Sequence, residues 1–326
     1  MLKKNILHID RSILRPLVAL VVMVLTMSLL SESFATSDNL FNVMRQVSVN
    51  LCISVGMTLV ILTGGIDLSV GSILALSGAV AAGLVKSGWA WEGADLHIGF
   101  SFFGIVVLTL LVGGVLGGFN GWMVTRFRVP PFIATLGMLT MARGMTMLYT
   151  NGHPITGLGA QFEYLGTGWF CGIPMPVIVA AVVVALFVLF MRKSPWGRYI
   201  YAIGGNERAT RLSGINVKRI KLFVYTVAGV LSAVAALIVT ARLDSAQPNA
   251  GTGYELDSIA AVVIGGTSLN GGKGSIWGTV IGALIIGVLN NGLVLMNVSP
   301  FWQQVIKGLV ILLAVIMDRM SAKEQE

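Results

Sequence analysis

The feature that most constrains this chain is a recurrence of apolar runs about twenty residues long, nearly free of charge. A helix rises 1.5 Å per residue, so crossing a hydrocarbon layer of about 30 Å takes about 20 mostly apolar residues. Ten segments are candidates: 14–31, 47–64, 69–85, 100–124, 130–149, 174–191, 222–241, 256–266, 276–296 and 302–317. The eighth is short for a full crossing and predicts a tilted, broken or re-entrant helix. Composition points the same way, with 55% hydrophobic and only 11% charged residues in 326. Soluble domains carry about 25% charged residues, and a soluble fold of this size could not hide so much apolar surface. The expected fold is an all-α polytopic membrane protein of about ten transmembrane helices. It forms a single membrane domain over 1–326, with a transmembrane region at 14–317, a polar loop at 192–221 and a tail at 318–326.

The net charge of +8 could suggest nucleic acid, but the placement of the cations argues for topology. Lysine and arginine accumulate in cytoplasmic loops. Ten spans put both termini on one side. With that side in the cytoplasm, Lys3, Lys4, Arg11 and Arg15, two residues of 125–129, eight of 192–221, Lys273 and two of the tail give 17 inside. Outside stand Arg45, Lys86 and Arg242, a count of 3. Arg143 and Lys307 fall within spans with no obvious acidic partner. The basic N-terminus, the apolar run to Leu30 and Ser33-Phe34-Ala35 have the layout of a cleavable signal peptide. An uncleaved first span is preferred, because many spans follow and the parity of the chain depends on it.

Gly64-Gly65-Ile66-Asp67-Leu68-Ser69 through Ile73 echoes Gly265-Gly266-Thr267-Ser268-Leu269 through Ile276, with two residues inserted. Ten spans could then be two halves of five. An odd number per half makes the halves inverted, as in many transporters.

Several chemistries have no sequence to support them. Lys273 follows Gly271-Gly272, but Thr267 stands where a phosphate-binding loop needs its first glycine, and Gly274 stands where it needs Ser or Thr. A glycine-rich turn explains that stretch. Cys52 and Cys171, with His8, His97 and His153, are too scattered for a disulfide framework or a metal site. No nucleophile elbow appears. ATP hydrolysis, if it drives this protein, belongs to another chain.

The longest polar stretch, 192–221, reads RKSPWGRYIYAIGGNERATRLSGINVKRIK. Asn206 can cap a short helix over Glu207–Leu212 that Gly214 ends, which would offer a partner something to grip. The plainer reading is a basic loop that only sets topology. Either Asp67 or Ser69 reads as the cap of the third span, or Asp67 as part of an inner gate or proton path. Asn50, Thr58, Asn120, Asn290 and Asn291 are intramembrane polar residues, each helix-to-helix glue or pathway lining, with Asn290-Asn291 beside Gly292 the best lining candidates. Gly113, Gly117 and Gly121, Gly114 and Gly118, and Gly278 with Gly282 form small-residue seams, for packing within the chain or between two chains. The outer loop 242–257 is polar and slightly acidic, either solvated or a landing surface for a soluble carrier.

Several stretches together resemble the permease subunits of bacterial ATP-binding-cassette importers for monosaccharides, above all those for ribose. They are GMTLVILTGGIDLSVGS (56–72), PPFIATLGML (130–139), GRYIYAIGGNERATRLSGINVKRIK (197–221), SAQPNAGTGYELDSIAAVVIGGTSLNGGKGS (245–275) and IGALIIGVLNNGL (281–293). The resemblance covers most of the chain from about 40 to 317. It implies a bacterial inner-membrane subunit that works as two copies, with an ATPase subunit below and a periplasmic sugar-binding protein above. The chain itself would bind no cofactor, ATP and Mg being held by the ATPase. The loop from Arg198 to Lys221 would be the coupling element, with Asn206, Glu207, Arg208, Arg211, Ser213, Gly214 and Lys218 at its contact surface. Related permeases serve xylose, galactose and other small sugars. An ion-coupled secondary transporter is the rival mechanism, and a membrane enzyme the rival class.

Overall fold

The computed structural model describes residues 11–91 and 96–323. Lys3, Lys4 and His8 lie outside the described residues. The chain opens with α1 (Arg11–Leu30), followed by α2 (Ser37–Leu62) and α3 (Val70–Ser87). A hairpin of β1 (Trp89–Trp91) and β2 (Leu96–Ile98) leads to α4 (Phe102–Arg126) and α5 (Pro131–Thr150). Next come β3 (Ile155–Thr156), α6 (Ala160–Thr167) and a hairpin of β4 (Trp169–Phe170) with β5 (Ile173–Pro174). Then follow α7 (Met175–Lys193), α8 (Pro195–Gly205), α9 (Glu207–Leu212) and α10 (Val217–Arg242). The chain closes with β6 (Ser245–Ala246), α11 (Tyr254–Ile264), α12 (Ile276–Leu295) and α13 (Pro300–Lys323). The β6 strand pairs antiparallel with β3.

Local signals explain the boundaries. Thr36 Oγ1 accepts from Asn39 N and opens α2 ten residues before the apolar run begins. Ser101 and Ser275 cap α4 and α12 in the same way. Prolines stand in the first turns of α5, α7 and α8, where the missing N–H costs nothing. Asn151 closes α5 in the left-handed conformation (φ 51°).

Each of the ten expected segments coincides with a helix. Six of these helices, α2, α3, α4, α7, α10 and α12, are long and apolar enough to cross a membrane. The short eighth segment is α11, whose 11 residues span about 16 Å, half of a bilayer core. The residues before it, 243–253, fold inward, with the two-residue β6 as their regular part. The outer loop is therefore not a solvated loop: Ser245, Ala246, Pro248 and Gly251 are buried.

The core is built around α2 and α10. From Val47 to Leu62 every residue of α2 but Asn50 is buried, and Val224–Ala241 of α10 is nearly as enclosed. A helix buried on all sides is apolar nearly all round, and the buried polar residues of these stretches, Ser48, Ser54, Thr58, Ser232 and Thr240, are small. Their neighbours pair up in a repeated pattern. While α10 lies on α4 and α3, α2 lies on α12 and α11; and as α3 packs on α4 and α5, so α11 packs on α12 and α13. In that pattern the connection after α2 corresponds to the one after α10, not to 265–275. The glycine-rich echo seen in the sequence is thus not the repeat itself.

The glycine seams join helices of this one chain. A Cβ on Gly113, Gly117 or Gly121 would overlap the backbone of Gly229, Tyr225 or Leu222 on α10, and one on Gly278 or Gly282 the backbone of Gly265 or Ala261. Met27 of α1 lies against Gly292, and Phe34 is in the core, so the first helix is packed into the bundle.

Candidate functional site

The 192–221 segment forms a compact surface unit. Ser194 Oγ accepts from Trp196 N and starts α8, whose Gly197, Ile200 and Ile203 are buried. Asn206 then ends α8 and opens α9, its Oδ1 accepting from Ala209 N at 2.9 Å. Gly214, at φ 82°, reverses the chain after α9. Arg198, Asn206, Arg208, Arg211, Ser213, Gly214 and Lys218 are exposed, and Leu212 projects with 82% of its surface open. Glu207 turns inward, accepting from Lys221 Nζ and Arg211 Nη2, each at 2.7 Å. The Lys221 hydrogen bond, above all, holds its carboxyl below the usual glutamate range. The expected α9 is present. The longer α8 was missed, although Ser194-Pro195 is a start signal and Ile200 and Ile203 mark its buried face.

What α8 touches is the second thing the sequence did not reveal. Gly272 N donates to Leu62 O at 3.0 Å, joining the turn after α11 to the end of α2. Gly204 sits where a Cβ would overlap both Leu62 O and Gly272 N, and Tyr201 Oη donates to Gly274 O at 2.9 Å. The two echoing glycine-rich stretches thus meet, with the end of α8 wedged against both.

Asp67 is fully buried, not at a wet span edge. Its Oδ1 accepts from Ser69 N (2.8 Å) and Ser69 Oγ (2.6 Å), and Asn120 Nδ2 donates to Ser69 Oγ at 2.8 Å. Neither Asp67 nor Ser69 caps the first turn of α3: Ser69 makes no side-chain cap bond, and Asp67 instead braces the residue before the helix. Asp67 Oδ2, Asn120 Oδ1 and the Tyr225 hydroxyl are buried without hydrogen-bond partners.

The remaining polar residues divide. Asn291 exchanges two hydrogen bonds with Asn39 (2.8 and 2.9 Å), tying α12 to α2, and is buried. Thr58 and Thr279 hydroxyls meet at 2.6 Å between the same helices. Asn50 is partly buried with Oδ1 unpaired. Asn290 Nδ2 donates to Asp257 Oδ2 at 3.4 Å, and Lys307 Nζ pairs with the same oxygen at 3.0 Å. Lys307 therefore has an acidic partner, which the sequence reading missed because Asp257 is 50 residues away. Arg143 donates to Pro248 O and Ala250 O (2.8 and 2.9 Å) and lies within electrostatic reach of Glu255. An apolar recess of about 240 Å³ between α4, α6, α7 and α10 offers no polar group to a sugar.

Comparison with known proteins gives a consistent picture. Residues 39–315 match the family described as branched-chain amino acid transport system / permease component. The ribose import permease protein of Haemophilus influenzae is 51% identical over 308 residues, covering 93% of this chain and 92% of that protein. That of Escherichia coli K12 is 52% identical, with the same coverage. The xylose transport system permease protein of Haemophilus influenzae is 35% identical over 370 residues, 94% of this chain and 96% of that protein. No solved structure matches the chain.

Proposed function

The chain belongs to the permease-component family of branched-chain amino acid transport systems, and from that premise we propose that it is the membrane subunit of an ATP-binding-cassette importer carrying ribose. The observation that carries the sugar is the step in identity, from 51–52% with ribose permeases to 40% with a D-allose permease and 35% with a xylose permease. Xylose transport is the second reading, since that relative still spans the whole chain.

In this reading the protein crosses the bacterial inner membrane ten times, with both termini in the cytoplasm. The lopsided lysine and arginine distribution supports that orientation, and the repeated pairing of α2–α5 with α10–α13 supports two inverted halves. Two copies form the route. A periplasmic binding protein delivers the sugar, and an ATPase subunit grips the exposed basic face of α9. ATP binding draws the ATPase subunits together and pushes on α8 and α9. The strut formed by Gly204 and Tyr201 passes that push to the turns after α2 and α11, which lead out of α2 and out of the short α11. Affinity for the carrier differs between the two states, so nucleotide and carrier are linked reciprocally.

Asp257 sets an acid beside Lys307, so the argument against a secondary transporter is family membership. The test is ribose uptake into liposomes holding this chain and its ATPase, with carrier outside and ATP inside. Uptake should require both. Uptake without ATP would overturn the mechanism, and success only with a xylose carrier would replace the sugar. Arg211→Glu, which sets a second carboxylate beside Glu207 on the exposed face, should insert normally, hydrolyse ATP in the complex and import little.

A further inference from the structure

Two cations on this chain stand where lipid would be an expensive neighbour. Arg143 is the thirteenth residue of the 20-residue α5, and Lys307 lies eight residues into α13. The Lys307 side chain keeps 29% of its surface open and Arg143 is half-buried. A charge in the middle of a membrane helix costs about 2.5–3.5 kcal/mol when it faces hydrocarbon. Such groups turn instead toward protein or a water-filled space.

The two cations are linked by α11. Asp257, in its first turn, pairs with Lys307 and accepts from Asn290. Glu255, two residues earlier, lies within electrostatic reach of Asp257 and Arg143. Its Oε2 would stand 2.6 Å from a Cβ on Gly71, against the first turn of α3. The starts of the broken helix α11 and of α3 therefore share one polar cluster, on the side of the bundle bounded by α5 and α13. A purely structural staple would be closed and satisfied. This one is open at Lys307, and Asn290 Oδ1 is buried without a partner.

We propose that Asp257, Lys307 and Asn290, with Arg143 and Glu255 beside them, form a water-accessible subsite for a neutral polyhydroxylated ligand on the wall of the translocation route. The chemistry suits hydroxyl groups, each of which both donates and accepts. Carboxylates and the Asn290 carbonyl accept, while the ammonium, guanidinium and amide groups donate. Charges already paired with each other bind a neutral sugar without trapping an ion. This inference names the sugar contacts of the importer proposed above and rests on that reading for its ligand.

The test uses the full chain with its ATPase in liposomes, with Cys52→Ala and Cys171→Ser as background. Arg143→Cys, Asn290→Cys and Lys307→Cys are exposed to a membrane-impermeant cationic methanethiosulfonate, beside Val182→Cys and Leu186→Cys on the apolar outer face of α7. The first three should react, the two controls should not, and excess ribose should slow labelling at 290. Labelling no faster than the controls would place this face against lipid or sealed protein and overturn the subsite, whatever the transport assay shows. Labelling without ribose protection would leave a wet wall and remove the binding role. Asn290→Ala, which keeps the Asp257–Lys307 pair, should lower ribose uptake about tenfold, the loss of one or two hydrogen bonds. Unchanged uptake in that variant would also count against the subsite. Absence of uptake by the unmodified complex would instead remove the importer reading.

Discussion

Asp67 separates two roles that a single carboxylate can play. Asp67 is buried and braced by Ser69, and it joins none of the salt bridges formed among the described residues by Glu207 and Asp257, so a charged carboxylate there would be costly. Asp67→Asn keeps the acceptor for Ser69 and replaces the unpaired Oδ2 with an amide donor. It should fold at least as stably as the parent in a detergent melting assay, whereas Asp67→Ala should lose about 1–3 kcal/mol by stranding buried polar groups. A stable Asp67→Asn protein that imports normally assigns Asp67 to structure; one that folds but does not import assigns it to a gate or proton path.

Glu207 offers a pH-dependent test at the same scale. Its carboxyl is held below the ordinary value of 4.5, chiefly by the Lys221 hydrogen bond. A group with a depressed folded value adds stability above its unfolded value and loses it as pH falls through the folded one. Hydrogen exchange of the α9 amides, corrected for intrinsic rates, should therefore speed up as pH drops below about 4.5. In Glu207→Gln that dependence should flatten. Because the side chain is 39% exposed, solvent screens the effect, which should be modest.

Among the elements, α8 is the one whose role depends most on contact. Its six-residue neighbour α9 presents the charges, but α8 reaches the turns after α2 and α11 through Gly204 and Tyr201. Gly204→Ala forces a methyl group against Leu62 O and Gly272 N, which are backbone atoms and cannot rotate away. It should cost about 1–3 kcal/mol and disturb import more than ATP hydrolysis. Tyr201→Phe removes only the bond to Gly274 O, about 0.5–1.5 kcal/mol. It should fold normally and lower the sugar moved per ATP hydrolysed; an unchanged ratio would exclude Tyr201 from the strut.

At the scale of the molecule, the bundle depends on close approach of α4 to α10. Gly117→Leu must push against Tyr225 O and the Gly229 backbone, so little folded protein should be recovered from membranes. Gly137 on α5 has nothing within 4 Å of an added Cβ. Gly137→Ala should leave the isolated chain intact or raise its stability by about 0.5–1 kcal/mol.

Long apolar runs determined by themselves where helices form, because lipid leaves the backbone no partner but its own. Nine of the ten segments needed no tertiary information, and the eighth was already legible as short for a full crossing, whether tilted, broken or re-entrant. The cap at Asn206 and the stop at Gly214 were equally local and equally readable. Tertiary structure decided what the polar residues are for. Asn291 was spent on Asn39, 252 residues away, while Lys307 was matched with Asp257 and the loop 243–253 was drawn into the bundle. Local sequence carries propensities and periods. Which buried polar group meets which is settled by packing between distant helices, and no spacing along the chain encodes it.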